Sequence, residues 1–461
     1  MTITLSGTRK WMFSLGDLTA AVPLTILGFF QLYFLTDVAR IPPGMAAWSI
    51  LVVKLWDAVN DPVLGALSDR FRSRGGRRRV PMLAASVPLG LTFCLLWIVP
   101  PFRPLGAAVW YAIVFLVFDT CFTMFHVSFN ALTPVLARDY DERSSLNGYR
   151  MVFSIAGTLA AVILMTVLSG RIEDARARFA LAGIGLGLFC MIPPWFAYKA
   201  AEGFDEEGAC ETPGSGRMRP GFLEALAEST RAVLANRPFR QVMGLYLFSW
   251  TTTAVISSAL VYFVSYYLRA PAHSNYLVLA AEVSAIAFIP LVVAAARRWD
   301  KRRAFMAGCA AWAAVQGAIS LLAPGQLVPA YALAVLIGLG IATAYVLPWA
   351  MIPDVIELDT AASGRNREGS YYAFASFFQK LGTGAALWLM ARALEAGGYV
   401  TPTAAVPFPE QPQSAIRAIR LFMGLAPAVL LACATAFAWL YPVSREDQRA
   451  ARDAILARAG E

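Results

Sequence analysis

The chain has 461 residues, of which 58% are hydrophobic and only 15% are charged. A soluble domain usually carries about a quarter charged residues and less than half apolar ones, so this composition excludes an ordinary water-soluble enzyme. The net charge of +9 does not indicate a nucleic-acid partner, because the basic residues lie in short loops between apolar blocks, where the positive-inside rule places them.

Apolar segments of the length needed to cross a bilayer, about 20 residues, recur along the whole chain. Six lie in the first half, at 11–36, 44–67, 81–101, 105–134, 147–170 and 177–199, and six in the second, at 241–268, 275–296, 303–323, 328–353, 369–393 and 416–441. The pattern predicts an all-α polytopic membrane protein with twelve transmembrane helices in two six-helix bundles. The predicted parts are a first bundle at 1–199, a cytoplasmic linker at 200–240, a second bundle at 241–441 and a cytoplasmic tail at 442–461.

Basic residues are concentrated in two loops at matching places in the two halves, after segments 44–67 and 275–296. Because both loops follow an even-numbered segment, the positive-inside rule places both termini on the cytoplasmic side of the cell (inner) membrane. The matching positions are also typical of transporters built from repeated bundles.

A charge at bilayer depth costs at least about 2.5 to 3.5 kcal/mol, so charges within apolar segments are informative. Asp57, Asn60 and Asp61 lie at spacings of three and four residues, on one face of a helix. Their oxygens suit a hard cation, and a bound cation or shared proton relieves the repulsion between the carboxylates. The pattern predicts a site for a monovalent cation; the alternative is that the acids form structural ion pairs with Lys54 or with an arginine elsewhere.

A polar stripe runs along segment 105–134. Asp119, Thr123, His126 and Asn130 recur at steps of four, three and four residues, so they are expected to face the bundle interior or a water-filled cavity. His126 suits proton transfer or a hydrogen bond to substrate. The alternatives are a satisfied core histidine and a structurally paired Asp119.

Other charged residues lie within further segments. Arg150 and Lys380 require carboxylates or substrate oxygens as partners, so they are predicted to hold an anionic or hydroxyl-rich substrate or else to balance charge. Asp17 and Glu282 are intramembrane acids that suit either a site or a structural role.

Two prolines, Pro348 and Pro353, are predicted to break the helix of segment 328–353 and to provide a hinge. Tyr345 and Trp349 lie one turn apart in the same segment. Their rings suit stacking on a sugar ring or contact with an acyl chain, and plain packing is the alternative.

Four strings resemble the glycoside-pentoside-hexuronide:cation symporter family of the major facilitator superfamily, the family of melibiose permease. They are WDAVNDPVLG with the Arg-rich loop after it, ALTPVLARDYDERSSLNGYRMVFS, MIPDVIELD and GRNREGSYYAFASFFQKLG. The resemblance implies the major facilitator fold and symport of a cation with a glycoside, pentoside or hexuronide by alternating access. It implies a cation site, occupied by sodium if sodium is the coupling ion, at Asp57, Asn60, Asp61 and Thr123.

Substrate contacts are implied by the same resemblance at Arg150, Lys380 and Ser376 or Gln379, while His126 and Asn130 depart from melibiose permease and put galactoside specificity in doubt. The strings MFHVSFNALT and LPWAMIPDVI are also similar to the vertebrate sodium-coupled lysophosphatidylcholine symporters, so an amphiphile is the alternative substrate. Pattern and resemblance together predict substrate contacts at Asp17, Asp119, His126, Asn130, Arg150, Tyr345, Trp349, Ser376, Gln379 and Lys380.

The sequence contains no H-E-x-x-H or G-x-S-x-G motif, so neither an enzyme nor a resident cofactor is expected. The coupling ion stays open, since the paired acids with Asn60 and Thr123 suit sodium, whereas Asp119, Glu282 and His126 suit protons. The expected partners are a small-molecule substrate, a co-transported sodium ion or proton and the bilayer, with no nucleic acid. A monomer is expected by analogy with the fold.

Overall fold

The structure, a computed structural model, describes residues 5–70, 78–137, 140–204, 231, 233, 235–363, 368–403, 406–443 and 447. In the first half the helices are α1 (Gly7–Ser14), α2 (Gly16–Tyr33), α3 (Pro43–Arg70), α4 (Arg79–Leu96), α5 (Pro104–Leu136), α6 (Tyr140–Ser169), α7 (Ala175–Cys190) and α8 (Pro193–Ala200). In the second half they are α9 (Arg237–Tyr262), α10 (Ser274–Trp299), α11 (Lys301–Ser320), α12 (Leu327–Ser363), α13 (Glu368–Ala396), α14 (Gln413–Met423) and α15 (Leu425–Leu440).

Each of the twelve predicted apolar segments lies on one or two of these helices, which confirms the all-helical polytopic fold. Nine helical stretches within the described residues are long and apolar enough to cross a membrane. The number of crossings stays a prediction, because α3, α11 and α13 are not among the nine.

Contacts divide the chain into two compact units. The first consists of Met1–Gly216 with Ala391–Pro412, and the second of Arg217–Met390 with Gln413–Glu461. The later segment joins the first unit through a buried hydrogen bond of 2.8 Å that the Tyr399 hydroxyl donates to Asp37 Oδ1. Hydropathy does not indicate this attachment, because it contains no information on contacts between residues distant in sequence.

The two units share a backbone feature near the end of their first long helix. A π-helical turn follows α2 at Phe34–Val38, and a second one follows α9 at Phe263–Tyr267. Two residues after each turn stands an arginine with a positive φ, Arg40 at 59° and Arg269 at 55°. Non-glycine residues seldom adopt a positive φ. An arginine with this conformation at the same place in both units therefore supports the internal repeat.

α12 runs without interruption from Leu327 to Ser363, through Pro348 and Pro353. The prediction that these prolines break the helix is therefore wrong. Helices in membrane proteins tolerate proline where neighbouring groups satisfy the freed carbonyls. Lys301 of a neighbouring helix donates to the carbonyl oxygen of Ala350 in this stretch, over 2.9 Å.

α10 and α12 form the most extensive helix–helix contact in the described part of the chain. Gly338 on α12 makes this contact close, since a Cβ atom there would lie 2.1 Å from Ser284 Oγ and 2.5 Å from the Ala285 nitrogen. The close approach sets the position of Glu282, which lies less than one turn before Ser284 on α10.

Candidate functional site

Two hydrogen bonds align α3 with α5 in the first unit. Ser49 Oγ donates to the Ala108 carbonyl over 3.1 Å, and Trp56 Nε1 donates to Thr120 Oγ1 over 2.9 Å. The two helices therefore keep one register, which brings their polar faces together at the level of Trp56 and the following turn.

Four buried polar residues lie at this level and form the α3–α5 cluster, which consists of Asp57 and Asn60 on α3 with Asp119 and Thr123 on α5. Asn60 exposes 2% of its surface, Thr123 3%, Asp57 4% and Asp119 6%. Asn60 Nδ2 lies 3.5 Å from both the carbonyl oxygen and Oδ2 of Asp119. The cluster combines carboxylate, amide and hydroxyl groups, which are the ligand types that hard cations prefer.

The alternative partner of Asp57 is also present. Lys54 Nζ lies 3.7 Å from Asp57 Oδ2, and its side chain is 21% exposed. Asp61 follows Asn60 on α3, and its side chain lies outside the described residues. Its assignment to the cation site therefore stays a prediction. Among the side chains that the structure describes, no three His, Cys, Asp or Glu residues come together as a metal site.

A second group of polar residues in the first unit is organised by Arg150 on α6, and we name it the Arg150 cluster. Arg150 forms a two-pronged ion pair with Asp17, with Nε 2.8 Å from Oδ2 and Nη2 3.0 Å from Oδ1. It also donates to Thr133 Oγ1 over 2.8 Å and to Asn130 Oδ1 over 2.7 Å. The guanidinium carbon lies 4.6 Å from the Phe129 ring centroid. These four hydrogen bonds use four of the five N–H donors of an arginine.

His126 extends the Arg150 cluster by one helical turn. Its Nε2 lies 3.1 Å from Nδ2 of Asn130, and its ring stacks on Phe122 with the centroids 5.7 Å apart. The predicted stripe on α5 is thus divided between two groups, since Asp119 and Thr123 belong to the α3–α5 cluster and His126 and Asn130 to the Arg150 cluster. Asp119, predicted to contact substrate, lies against Asn60 of the predicted cation site.

The second unit holds a group of aromatic residues, the aromatic cluster: Tyr246 and Trp250 on α9, Tyr345 and Trp349 on α12, and Tyr372 on α13. The ring centroids of Trp250 and Tyr345 are 5.1 Å apart, those of Tyr246 and Trp349 5.7 Å, and those of Trp349 and Tyr372 6.1 Å. Tyr246 is fully buried, whereas Tyr345 exposes 38% of its surface. Tyr345 and Trp349, which the sequence predicts to contact substrate, are therefore joined by rings from two other helices.

The predicted residues of α13 lie in the same unit. Ser376, Gln379 and Lys380 are half-buried, and the Gln379 carbonyl accepts a hydrogen bond of 3.0 Å from Thr383 Oγ1. Trp250 Nε1 lies 3.2 Å from the same hydroxyl oxygen, so α13 is fixed to the aromatic cluster one turn from Gln379. The role of these three residues in substrate contact stays a prediction.

Several members of these groups are not predicted from the sequence. Thr133 follows Asn130 by three residues and continues the α5 stripe by one turn, so the spacing alone indicates that Thr133 shares the polar face. Tyr246 and Trp250 also lie one turn apart, but aromatic residues at helical spacing are usually packing residues. Only the tertiary contact with Tyr345 and Trp349 distinguishes them.

Comparison with known proteins shows the family of this chain. A family model described as MFS/sugar transport protein matches residues 12–445. The chain belongs to this family. It is 31% identical to an uncharacterized symporter of Synechocystis sp., over 98% of this chain and 97% of that protein. It is 26% identical to the sodium-dependent lysophosphatidylcholine symporter 1-A of Danio rerio, over 95% of this chain and 86% of that protein.

A solved structure shows the same fold. The D-xylose-proton symporter aligns with a TM-score of 0.67 at 13% identity, over 95% of this chain and 98% of that chain. The protein is thus a multi-pass membrane transporter of the major facilitator superfamily and not an enzyme. Membership of the glycoside-pentoside-hexuronide:cation symporters stays a prediction.

Proposed function

We propose that the protein is a sodium-coupled symporter of an amphiphile of the lysophospholipid class, working by alternating access in the cell membrane with both termini cytoplasmic. The observation that carries this proposal is the similarity, over 95% of the chain, to a relative named as a sodium-dependent lysophosphatidylcholine symporter. At the level of sequence this relative is far more similar than the xylose symporter, whose likeness at 13% identity concerns the fold alone.

The α3–α5 cluster supports the sodium part of the proposal. Its described members are two carboxylates, an amide and a hydroxyl, all nearly excluded from solvent. A buried carboxylate strongly favours a compensating cation, and oxygen ligands suit sodium. A bound sodium ion is expected to compete with Lys54 for Asp57, because both cations require the same carboxylate.

The Arg150 cluster bears on the role of Arg150. The carboxylate of a hexuronide and the phosphate of a lysophospholipid both require a cation, yet four N–H groups of Arg150 already bind Asp17, Thr133 and Asn130. This arrangement favours a structural role for Arg150. A sugar-like solute is the second candidate, supported by the family description and by the accessible ring of Tyr345, which suits stacking on a sugar.

Uptake into proteoliposomes tests the proposal. Lysophosphatidylcholine uptake is measured under an inward sodium gradient and under a matched potassium gradient, with methyl glycosides as competitors. The variants are Asp57→Asn and, as a matched control, Asp174→Asn. Asp174 is an exposed N-cap of α7 that accepts from the Arg176 and Ala177 amides, and asparagine caps equally well.

We expect sodium-driven uptake by the wild type and by Asp174→Asn and its loss in Asp57→Asn, with no inhibition by glycosides. Sodium-driven uptake of a glycoside, without uptake of the lysolipid, would replace the first candidate by the second. Equal sodium dependence in Asp57→Asn and the wild type would remove Asp57 from the coupling site.

A further inference from the structure

The short helix α1 lies where the first unit leaves the hydrocarbon region. The apolar stretch Gly7–Val38 has 32 residues, more than the roughly 20 that cross a bilayer, so its first turns reach the lipid headgroups. α1 packs against α6 and α8, and the spanning stretch of α6 begins at Ser145. Lys10 Nζ donates to Ser145 Oγ over 3.2 Å. Lys10 therefore lies at the boundary between headgroups and acyl chains.

An exposed tryptophan lies beside the first two turns of this spanning stretch. Trp11 on α1 exposes 52% of its surface. Its ring meets those of Tyr149 and Phe153 edge to face, with the centroids 5.8 Å and 5.0 Å apart. Met151 and Val152, between these two residues on α6, are also exposed. Exposed apolar side chains of a spanning helix face lipid, and tryptophan and tyrosine are enriched at the membrane–water interface. This face of the first unit therefore contacts lipid.

The two basic residues of α1 are held by neutral groups. The guanidinium carbon of Arg9 lies 5.2 Å from the ring centroid of Phe204, and Lys10 bonds to a serine hydroxyl of α6. Neither forms an ion pair with a residue that the structure describes. Glu142, one turn before that serine, accepts a hydrogen bond from the Leu5 amide instead. α1 thus presents two positive charges that the described part of the chain does not compensate.

We propose that Arg9, Lys10 and Trp11 together bind an anionic phospholipid of the leaflet on whose side α1 lies. The lipid phosphate supplies the negative charge that the two basic side chains lack. Trp11 contacts the glycerol level with an amphipathic ring, and the exposed side chains of α6 contact the acyl chains. A zwitterionic lipid carries the same phosphate with its own compensating ammonium group, so a lipid with net negative charge is preferred.

The position of α1 gives such a lipid a route to the interior of the first unit. α2 begins at Gly16, two residues after the end of α1, and the next residue is Asp17, the ion-pair partner of Arg150. A lipid that holds α1 in place is therefore expected to steady the Arg150 cluster. The bound lipid is a partner of the folded protein and not its transported substrate, so this inference does not depend on the proposed function.

Lipid titration of the detergent-purified full-length protein tests the site, with melting temperature as the readout. The probes are dioleoylphosphatidylglycerol and, with the same acyl chains, dioleoylphosphatidylcholine. The variants Arg9→Gln, Lys10→Gln and the double variant remove charge, whereas Arg9→Lys keeps it. Arg240→Gln, at an exposed arginine of α9, is the matched control for a general attraction between anionic lipid and basic residues.

We expect phosphatidylglycerol to bind the wild type, Arg9→Lys and Arg240→Gln with the same affinity, and each single glutamine variant about fivefold more weakly, which corresponds to about 1 kcal/mol. The double variant should bind about 25-fold more weakly. Trp11→Leu, which keeps both charges, should lose less than either single variant. Without lipid the melting temperatures should agree, because neither basic residue forms an ion pair with a described residue.

Three results overturn the site. The first is equal affinity for phosphatidylglycerol and phosphatidylcholine, which shows that the net charge of the lipid is not recognised. The second is wild-type affinity in the double variant. The third is a loss in Arg240→Gln as large as that in Arg9→Gln, which shows that any basic residue near the membrane has the same effect. A loss confined to the variants that remove charge or ring from α1 supports the site.

Discussion

The two units meet the problem of buried charge in different ways. In the first, Arg150 pairs with Asp17 at 2.8 Å and Lys54 lies 3.7 Å from Asp57, so cationic side chains accompany buried acids. In the second, Lys301 pairs with Asp354 at 2.7 Å, the buried Glu282 forms no ion pair among the described side chains, and five aromatic rings pack together. This difference supports the proposal that sodium binds in the first unit, and we expect the aromatic rings of the second unit to contact the substrate.

The largest expected effect comes from breaking the ion pair of the first unit. Arg150→Met leaves the half-buried Asp17 without its partner. Removing one member of a fully buried pair costs about 3 to 5 kcal/mol, so we expect a loss of about 3 kcal/mol, at the lower end of this range. The double variant Asp17→Asn/Arg150→Met is expected to recover most of the free energy of unfolding. Unfolding of the purified variants by SDS in mixed micelles measures both. Additive losses in the two single variants and the double variant would show that the pair is not coupled.

The second unit is expected to be more sensitive to volume than to charge. Gly338→Ala places a Cβ atom against the backbone nitrogen of Ala285, and overpacking of this kind costs about 1 to 3 kcal/mol. Gly317→Ala, at a position with open space, is the matched control and is expected to be neutral or stabilising. The same SDS titration compares them. Equal stability of the two variants would contradict the close approach of α10 and α12.

A loss of similar size tests whether the segment Ala391–Pro412 belongs to the first unit. Tyr399→Phe removes the hydrogen bond to Asp37, and a bond to a charged acceptor contributes about 1.5 to 3 kcal/mol. Tyr276→Phe, at an exposed tyrosine of α10, is expected to change stability by less than about 0.5 kcal/mol. Hydrogen exchange around Asp37 should rise only in Tyr399→Phe, and unchanged exchange there would argue against the attachment.

The smallest effect concerns the support of the aromatic cluster. Trp250→Phe keeps a ring beside Tyr345 but loses the hydrogen bond to Thr383, for an expected cost of about 1 kcal/mol. Thr383→Val should cost about the same, and the double variant should cost little more than either single one. A double-mutant cycle measures this coupling, and a coupling energy near zero would show that the indole N–H is not bound to Thr383.

Hydropathy predicts most of the fold because the bilayer imposes one rule, that backbone polar groups must bond within the helix. The rule that proline breaks a helix fails at Pro348 and Pro353, where α12 continues. A rule for single helices takes no account of packing against neighbouring helices, and α12 makes the most extensive helix–helix contact in the described part of the chain. Hydropathy likewise does not predict that Ala391–Pro412 belongs to the first unit.

Helical spacing predicts which polar residues share a face, and the α3–α5 cluster follows from it in large part. Spacing does not assign partners between helices. Asp119 lies against Asn60, and Arg150 is bound by Asp17, Thr133 and Asn130. These pairings depend on helix register, which the sequence specifies only through packing of the whole unit.

Sodium binding by the first unit is the central claim, and the melting temperature of the purified protein as a function of sodium chloride, replaced by potassium chloride at constant ionic strength, tests it most directly. A ligand that binds only the folded state stabilises it by mass action. The account predicts a saturable rise in the wild type and in Asp174→Asn, and no rise in Asp57→Asn or Asp119→Asn. A rise of the same size in Asp57→Asn as in the wild type would contradict it.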